Sequence, residues 1–378
     1  MKIIFIITGL SSGGAEMMLY KLLTRIDRQR FKPIVISLTE RDTLAAPIEA
    51  LDIPVYALGM KEGGLPTPRV IWELFKIFIK TKPNLIQGWM YHSNLAAQFA
   101  NIISLKFAPV IWNVRHSLNS LADERRGTQA VIKASIPLSK FVNKIIYNSQ
   151  ISAVQHAKLG YPEEKEVTIP NGFDPELFKP SIESRKSVRA ELGLTSDCLL
   201  IGRFARFHEM KDYPNLLRGA AVLLKERPDV HFLLIGRTLN MQNPIIAELI
   251  EELGIGDRIH LKDESRELPY YTAALDIATT TSSHGEAFPN VVGEAMCCGV
   301  PCVVTDVGDS AWIVGDTGRV VPPRNPEALA KAWQELVDLG AEGRAALGTA
   351  ARERAVACFS LDFVVAQYEQ LYESVVAK

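Results

Sequence analysis

The 378-residue chain has no run approaching the roughly 18–20 consecutive apolar residues of a membrane-spanning helix. It has only five cysteines: Cys198, Cys297, Cys298, Cys302 and Cys358. An odd number with one adjacent pair and no C-x-x-C excludes a disulfide framework or a zinc site, and fits a reducing cytoplasm. D-x-D motifs, low-complexity tracts and short-period repeats are missing too. The opening MKIIFIITGL has one lysine and a short apolar run before SSGGAE. It reads as a buried first strand rather than a signal peptide.

What is present is an ordinary globular composition, with 47% hydrophobic and 22% charged residues. The length exceeds one comfortable core and predicts two domains. The net charge of −1 hides an asymmetry. Residues 1–180 hold 22 Lys+Arg against 15 Asp+Glu, and the remainder holds 20 against 28. A basic first half suits an anionic surface or an acidic acceptor. Chance spread of solvated charge is the plain alternative.

Apolar runs of strand length alternate with helical patterns. KIIFIIT, KPIVISL, IPVYAL, NLIQGW, APVIWNVR and KIIYNS form one series. DCLLIGRFA, VHFLLIG, DRIHLKD, LDIATTTS and VPCVVTDV form a second. Continuously apolar strands between helices predict parallel sheets covered on both faces. The expected fold class is α/β, with two doubly wound Rossmann-like domains facing each other across a cleft. The Pro- and Gly-punctuated VTIPNGFDPELFKP (167–180) is the expected connector. Ligands of open α/β sheets bind at the carboxyl ends of strands.

Three stretches carry candidate chemistry. TGLSSGGAE places Gly13 and Gly14 between the first strand and first helix, where backbone N–H groups can approach an anion. A tight strand–helix turn is the alternative. FARFHEMKD places Arg206 and Lys211 five residues apart after the first strand of the second series. Two cations there suit a diphosphate, and Arg203 competes for the same role. HGEAFPNVVGEAM holds Glu286 in a loop and Glu294 eight residues on, at or inside a helix start. A carboxylate accepting from hydroxyls recognises a polyol. A carboxylate near a helix start can also merely cap it.

Together with WMYHSNLAA, WNVRHSL, IPNGFDPELFKP and GDTGRVVPPRNPEALA, these stretches resemble the retaining GT-B glycosyltransferases of the family 4 type, over nearly the whole chain. The glutamate stretch matches that family's E-x7-E signature. The resemblance implies an acceptor-side domain over residues 1–172, with a final helix in 361–378 packing back on it. It implies a donor-binding domain over 173–360. Arg206 and Lys211 would clamp the diphosphate of a nucleotide-sugar donor, and Glu294 would accept from ribose hydroxyls. Glu286 would contact the donor sugar, with backbone around Phe288, Pro289 and Asn290 completing that pocket. His116 matches a histidine near the transferred sugar, and Gly13 and Gly14 would approach phosphate and acceptor.

The implied reaction is sugar transfer to a glycan or lipid-linked saccharide, by front-side attack, with no metal and no cofactor beyond the donor. Nucleic acid is not an expected partner. KDESRE (262–267) departs from the family's glycine-led loop near the nucleobase, which leaves uridine and guanosine both open. The alternatives are a nucleotide-sugar 2-epimerase-like isomerase on the same fold and a non-catalytic module that binds a sugar nucleotide or a polysaccharide. Two basic amphipathic segments, 69–80 and 131–144, suggest peripheral contact with an anionic leaflet at the inner face of the membrane. Burial of both in the first domain is the alternative.

Overall fold

The structure is a computed structural model. It describes all residues except 62–66, 105–107, 119, 196 and 378, and the Asp123 side chain. The chain divides into two compact units, Met1–Gly172 with Leu361–Lys378, and Phe173–Ser360.

Unit 1 runs β1 (Lys2–Ile7), α1 (Gly14–Arg25), β2 (Lys32–Ser37), α2 (Ala45–Glu49), β3 (Val55–Ala57), α3 (Pro68–Thr81) and β4 (Leu85–Trp89). It continues with α4 (Tyr91–Ile103), β5 (Val110–Val114), α5 (Arg126–Ser139), β6 (Lys144–Tyr147), α6 (Gln150–Leu159) and β7 (Glu166–Thr168). The strands are parallel, in the order β3-β2-β1-β4-β5-β6-β7. Strand alternation splits β1 between two cores. Ile3, Phe5 and Ile7 enter one with Leu19 and Val35, and Ile4 and Ile6 enter the other with Leu74 and Trp112. Burial on both faces is why these strands read as unbroken apolar runs.

Unit 2 runs α7 (Ile182–Glu191), β8 (Leu199–Phe204), α8 (Tyr213–Leu224), β9 (Val230–Ile235), α9 (Pro244–Leu253), β10 (Ile259–Lys262) and α10 (Leu268–Thr272). There follow β11 (Ile277–Thr280), α11 (Asn290–Cys297), β12 (Cys302–Thr305), α12 (Ser310–Val314), β13 (Gly318–Val321), α13 (Pro326–Asp338) and α14 (Gly340–Phe359). Its parallel order is β10-β9-β8-β11-β12-β13. The last helix, α15 (Leu361–Val376), belongs to unit 1. It buries Leu361, Val364, Tyr368 and Tyr372 in the core that holds Phe5.

Three local features differ from the sequence reading. Segment 131–144 is not one helix: α5 ends at Ser139 and Lys144 opens β6. Pro137 in the last turn removes a backbone donor, and the Asn143 side chain is drawn off to accept from Val110 N. The short strands β7 and β13 escape the pattern because they are brief and only partly buried.

Candidate functional site

In unit 2 the strand order reverses between β8 and β11. A crevice at the carboxyl ends of the strands is expected at such a reversal. The loops leaving those two strands carry the candidate residues. After β8 the His208 ring accepts from Met210 N, and a 3-10 turn over Glu209–Lys211 follows. Asp212, at φ +51°, turns the chain into α8 and caps it by accepting from Asn215 N. This delivers Lys211 to the mouth of the crevice.

The loop after β11 is stitched to that turn. Ser283 N donates to Met210 O at 2.9 Å, and the Thr281 hydroxyl donates to Lys211 O at 2.9 Å. Glu286 is thereby brought to Lys211, with Nζ 2.5 Å from Oε1. The side chains are only 17% and 12% exposed. Ser282 Oγ donates to the same Glu286 oxygen at 2.6 Å. Gly308, at φ +62°, lies so close that a Cβ there would sit 2.5 Å from Glu286 O. Asp309 N donates to Ala287 O at 2.9 Å. Three loops therefore fix one carboxylate.

Beneath this pair lies Arg203, 1% exposed inside the apolar strand β8. Its Nη2 reaches Ser282 Oγ at 3.3 Å and Lys211 O at 3.4 Å, and its Nε has no partner. Among the described residues it makes no ion pair. Burial pushes the Lys211 ammonium pKa down, Glu286 pulls it back, and Arg203 and Arg206 add to the fall. Burial pushes the Glu286 carboxyl up. The Lys211 charge and hydrogen bond, the Ser282 hydroxyl and the Arg203 charge outweigh it and leave the carboxyl below its ordinary value. Arg203, Lys211 and Arg206 thus gather around the Glu286 carboxylate.

Arg206 is exposed and opens onto a pocket of about 210 Å³ lined by Gly236, Arg237, Glu264 and Ser265. The charged 262–267 loop therefore lies one residue layer from the candidate phosphate cation. Glu294 is the fifth residue of α11 and is half-buried. The helix starts at Asn290 after Pro289, whose own side chain makes no cap bond. Its leading N–H groups form an electropositive end. Phe288 is 5% exposed and packs among Phe173, Trp312 and Phe359, so backbone is what it offers a ligand. Gly293 is required by close approach: a Cβ there would overlap the Phe173 ring.

Unit 1 holds the remaining candidates. Gly13 is the N-cap of α1, and Glu16 folds back so closely that a Cβ on Gly13 would overlap its carboxylate. Gly14 faces open space. His116 follows β5, and its Nε2 lies 2.6 Å from Glu124 Oε1. The neighbouring Arg115 is buried instead, bonded to Tyr368, Asn113 and Asn171 and lying over Trp89. His284 is exposed, and His92 is half-buried with an unpartnered Nε2. Among the described residues, no group of three or more His, Cys, Asp or Glu is placed to hold a metal ion.

Sequence reasoning placed Lys211 and Glu286 in separate motifs and did not pair them. It also passed over Glu124 and Ser282, which orient His116 and Glu286. No spacing rule links residues 75 apart. The one available signal was a charge inside LLIGRF, which is Arg203.

Two family models cover most of the chain. Glycosyltransferase Family 4 matches residues 12–177, and Glycosyl transferases group 1 matches residues 195–338. The chain is 26% identical over 385 residues to the D-inositol 3-phosphate glycosyltransferase of Mycolicibacterium smegmatis, covering 96% of this chain and 83% of that protein. It is 29% identical to the protein of the same name from Thermobispora bispora, over 52% of this chain and 48% of that one. The chain thus spans about half the length of this second relative. The crystal structure of Anabaena Alr3699/HepE in complex with UDP superposes with a TM-score of 0.86 at 23% identity, over 99% of this chain and 100% of that one. With one family model on each unit and the fold shared end to end, the chain belongs to the GT-B glycosyltransferases of the family 4 type.

Proposed function

We propose that the protein transfers a sugar, with retention of anomeric configuration, from a nucleoside diphosphate sugar to a glycan or lipid-linked saccharide. The observation that carries this reading is the buried Lys211–Glu286 pair with Arg203 and Arg206 beside it. Three cations gathered around one buried carboxylate suit a diphosphate. In this reading Arg206 and Lys211 take the diphosphate, where leaving-group charge develops, and positive charge already held there stabilises it. Glu286, released from Lys211, accepts from donor-sugar hydroxyls, with backbone from Phe288 to Asn290 beside it. Glu294 accepts from the ribose. The pocket beside Arg206 and Gly236 takes the base, and the UDP held by the HepE structure favours uridine.

His116, held by Glu124, stands near the transferred sugar, and Gly13 and Gly14 bring backbone N–H groups to phosphate and acceptor. No side chain is assigned as a nucleophile; the leaving phosphate helps to deprotonate the acceptor. The reaction needs no metal and no cofactor beyond the donor. None of the relatives described above is an isomerase, and no feature of the site favours the 2-epimerase reading.

The setting we propose is the cytoplasmic face of an anionic membrane. No described helix is long and apolar enough to cross a membrane. Yet α3 exposes Trp72, stacked on Phe75, and Ile79 among Lys76, Lys80 and Lys82.

The test is turnover of UDP-glucose and other donors with a saccharide acceptor in excess EDTA, followed by NMR. An α-linked donor is expected to give an α-linked product. A β-linked product, or no nucleotide release with any donor, contradicts the reading.

A further inference from the structure

A separate pocket of about 420 Å³ lies beside the 3-10 turn of unit 2, lined by Glu209, Asp212, Asn215, Arg218, Ser283 and Arg324. None of Arg206, Lys211 or Glu286 lines it. Asn215 sits in the first turn of α8, is 4% exposed, and has no partner on either its Nδ2 or its Oδ1. A buried amide with both its donor and its acceptor unmet is costly, and native proteins rarely keep one without a reason. The two cations on the rim, Arg218 and Arg324, are exposed, and neither makes an ion pair among the described residues. Arg324 holds φ +57°, a conformation that favours glycine or asparagine over a long side chain.

The chemistry of this lining is selective. Both amide atoms are closed off in this structure; turned into the pocket that Asn215 lines, the amide offers one acceptor and two donors, which match a pair of neighbouring sugar hydroxyls. Glu209 and Asp212 add acceptors for further hydroxyls. Two guanidinium groups outside ion-pair distance of the described carboxylates fit the oxygens of a phosphate or carboxylate. We propose that unit 2 carries a second saccharide site, for a sugar bearing a phosphate or carboxylate group. The pocket shares the Glu209–Asp212 turn with the Lys211–Glu286 pair but is built from different side chains. The proposal stands on this pocket and not on the donor reading.

The experiment is a calorimetric titration of the whole chain with glucose 6-phosphate, a glucuronate-containing oligosaccharide, glucose, inorganic phosphate and UDP. At least one of the two anionic saccharides is expected to bind saturably, at least tenfold tighter than glucose or phosphate. The tighter of the two names the source as a free sugar phosphate or an acidic glycan. Asn215→Leu and Arg324→Gly are expected to weaken that binding at least tenfold and leave UDP binding unchanged. Lys211→Ala is expected to do the reverse. Asn215→Leu removes the unmet amide, and Arg324→Gly suits the backbone, so both are expected to keep the wild-type Tm. Three results overturn the proposal: no saturable binding of either anionic saccharide, phosphate alone binding as tightly, or binding that survives both pocket variants and is lost with Lys211→Ala.

Discussion

Arg203, Lys211 and Glu286 show how single residues set the character of the site. Lys211 keeps a pKa below that of a solvated lysine, first through burial. In the proposed role the ammonium holds the diphosphate, so affinity is expected to fall as pH rises through that lowered value. Glu286 runs the other way: its folded pKa lies below its ordinary value. Its contribution to stability is fully present above the ordinary carboxylate range, and is lost as pH falls through the lowered value. Arg203→Met deletes a positive neighbour of both groups, so both pKa values rise. We expect the alkaline limb of nucleotide binding to move to higher pH and affinity at neutral pH to fall about tenfold, roughly 1.4 kcal/mol. Stability is not expected to fall, because a buried charge without a counterion is removed. An unchanged pH profile in a folded Arg203→Met protein would show that this charge is not felt at the site. The carboxylates and cations stand out individually in the sequence as candidates, because their residue types suit polyol and phosphate. Their pairing does not, because it arises from loops meeting across the β8–β11 reversal.

At the scale of elements, the strands were legible wherever both faces are buried. IIFII in β1 and FLLI in β9 are unbroken apolar runs because both faces of these strands are buried. The short β13, half-exposed and followed by Pro-Pro, gave no such signal. The helix α15 teaches the opposite lesson. Nothing in LDFVVAQYEQLYESVV points to a strand almost 300 residues away. Yet Tyr372 donates to Gln87 Oε1 at 2.5 Å, and the Tyr368 hydroxyl accepts from Arg115 and Asn113 at 3.0 Å. Glu369 and Glu373 pair with Arg30 at 2.9 and 2.6 Å. The exposed Arg30–Glu373 pair contributes little, whereas the buried hydroxyls leave orphaned groups when removed. Tyr372→Phe leaves Gln87 without any side-chain partner, since its Nε2 is already unmet. The expected loss is about 1–3 kcal/mol in a denaturant titration, with Glu373→Ala within about 0.5 kcal/mol of wild type. Equal losses from the two substitutions would refute this ranking.

The whole molecule divides its labour by charge and by ligand. The basic excess falls in the first 180 residues, and the candidate donor groups fall mostly in unit 2. Exposed Trp72 and Ile79 among lysines predict salt-sensitive adsorption to anionic vesicles. Trp72→Glu is expected to reduce co-sedimentation several-fold, and neutral vesicles are expected to retain little protein. Equal retention on neutral and anionic vesicles contradicts a charge-guided contact. The central claim, that the Lys211–Glu286 pair is a resting form of a nucleoside diphosphate site, is tested most directly by ligand-induced stabilisation. UDP, GDP and ADP are added in EDTA to wild type, Lys211→Ala and Glu294→Ala, and the melting of each is measured against its own unliganded control. We predict that one nucleotide, UDP first, stabilises wild type by about 2.7 kcal/mol at a hundredfold excess over Kd, and that both variants lose the gain. No stabilisation of wild type by any of the three, or undiminished stabilisation of Lys211→Ala, would contradict the account.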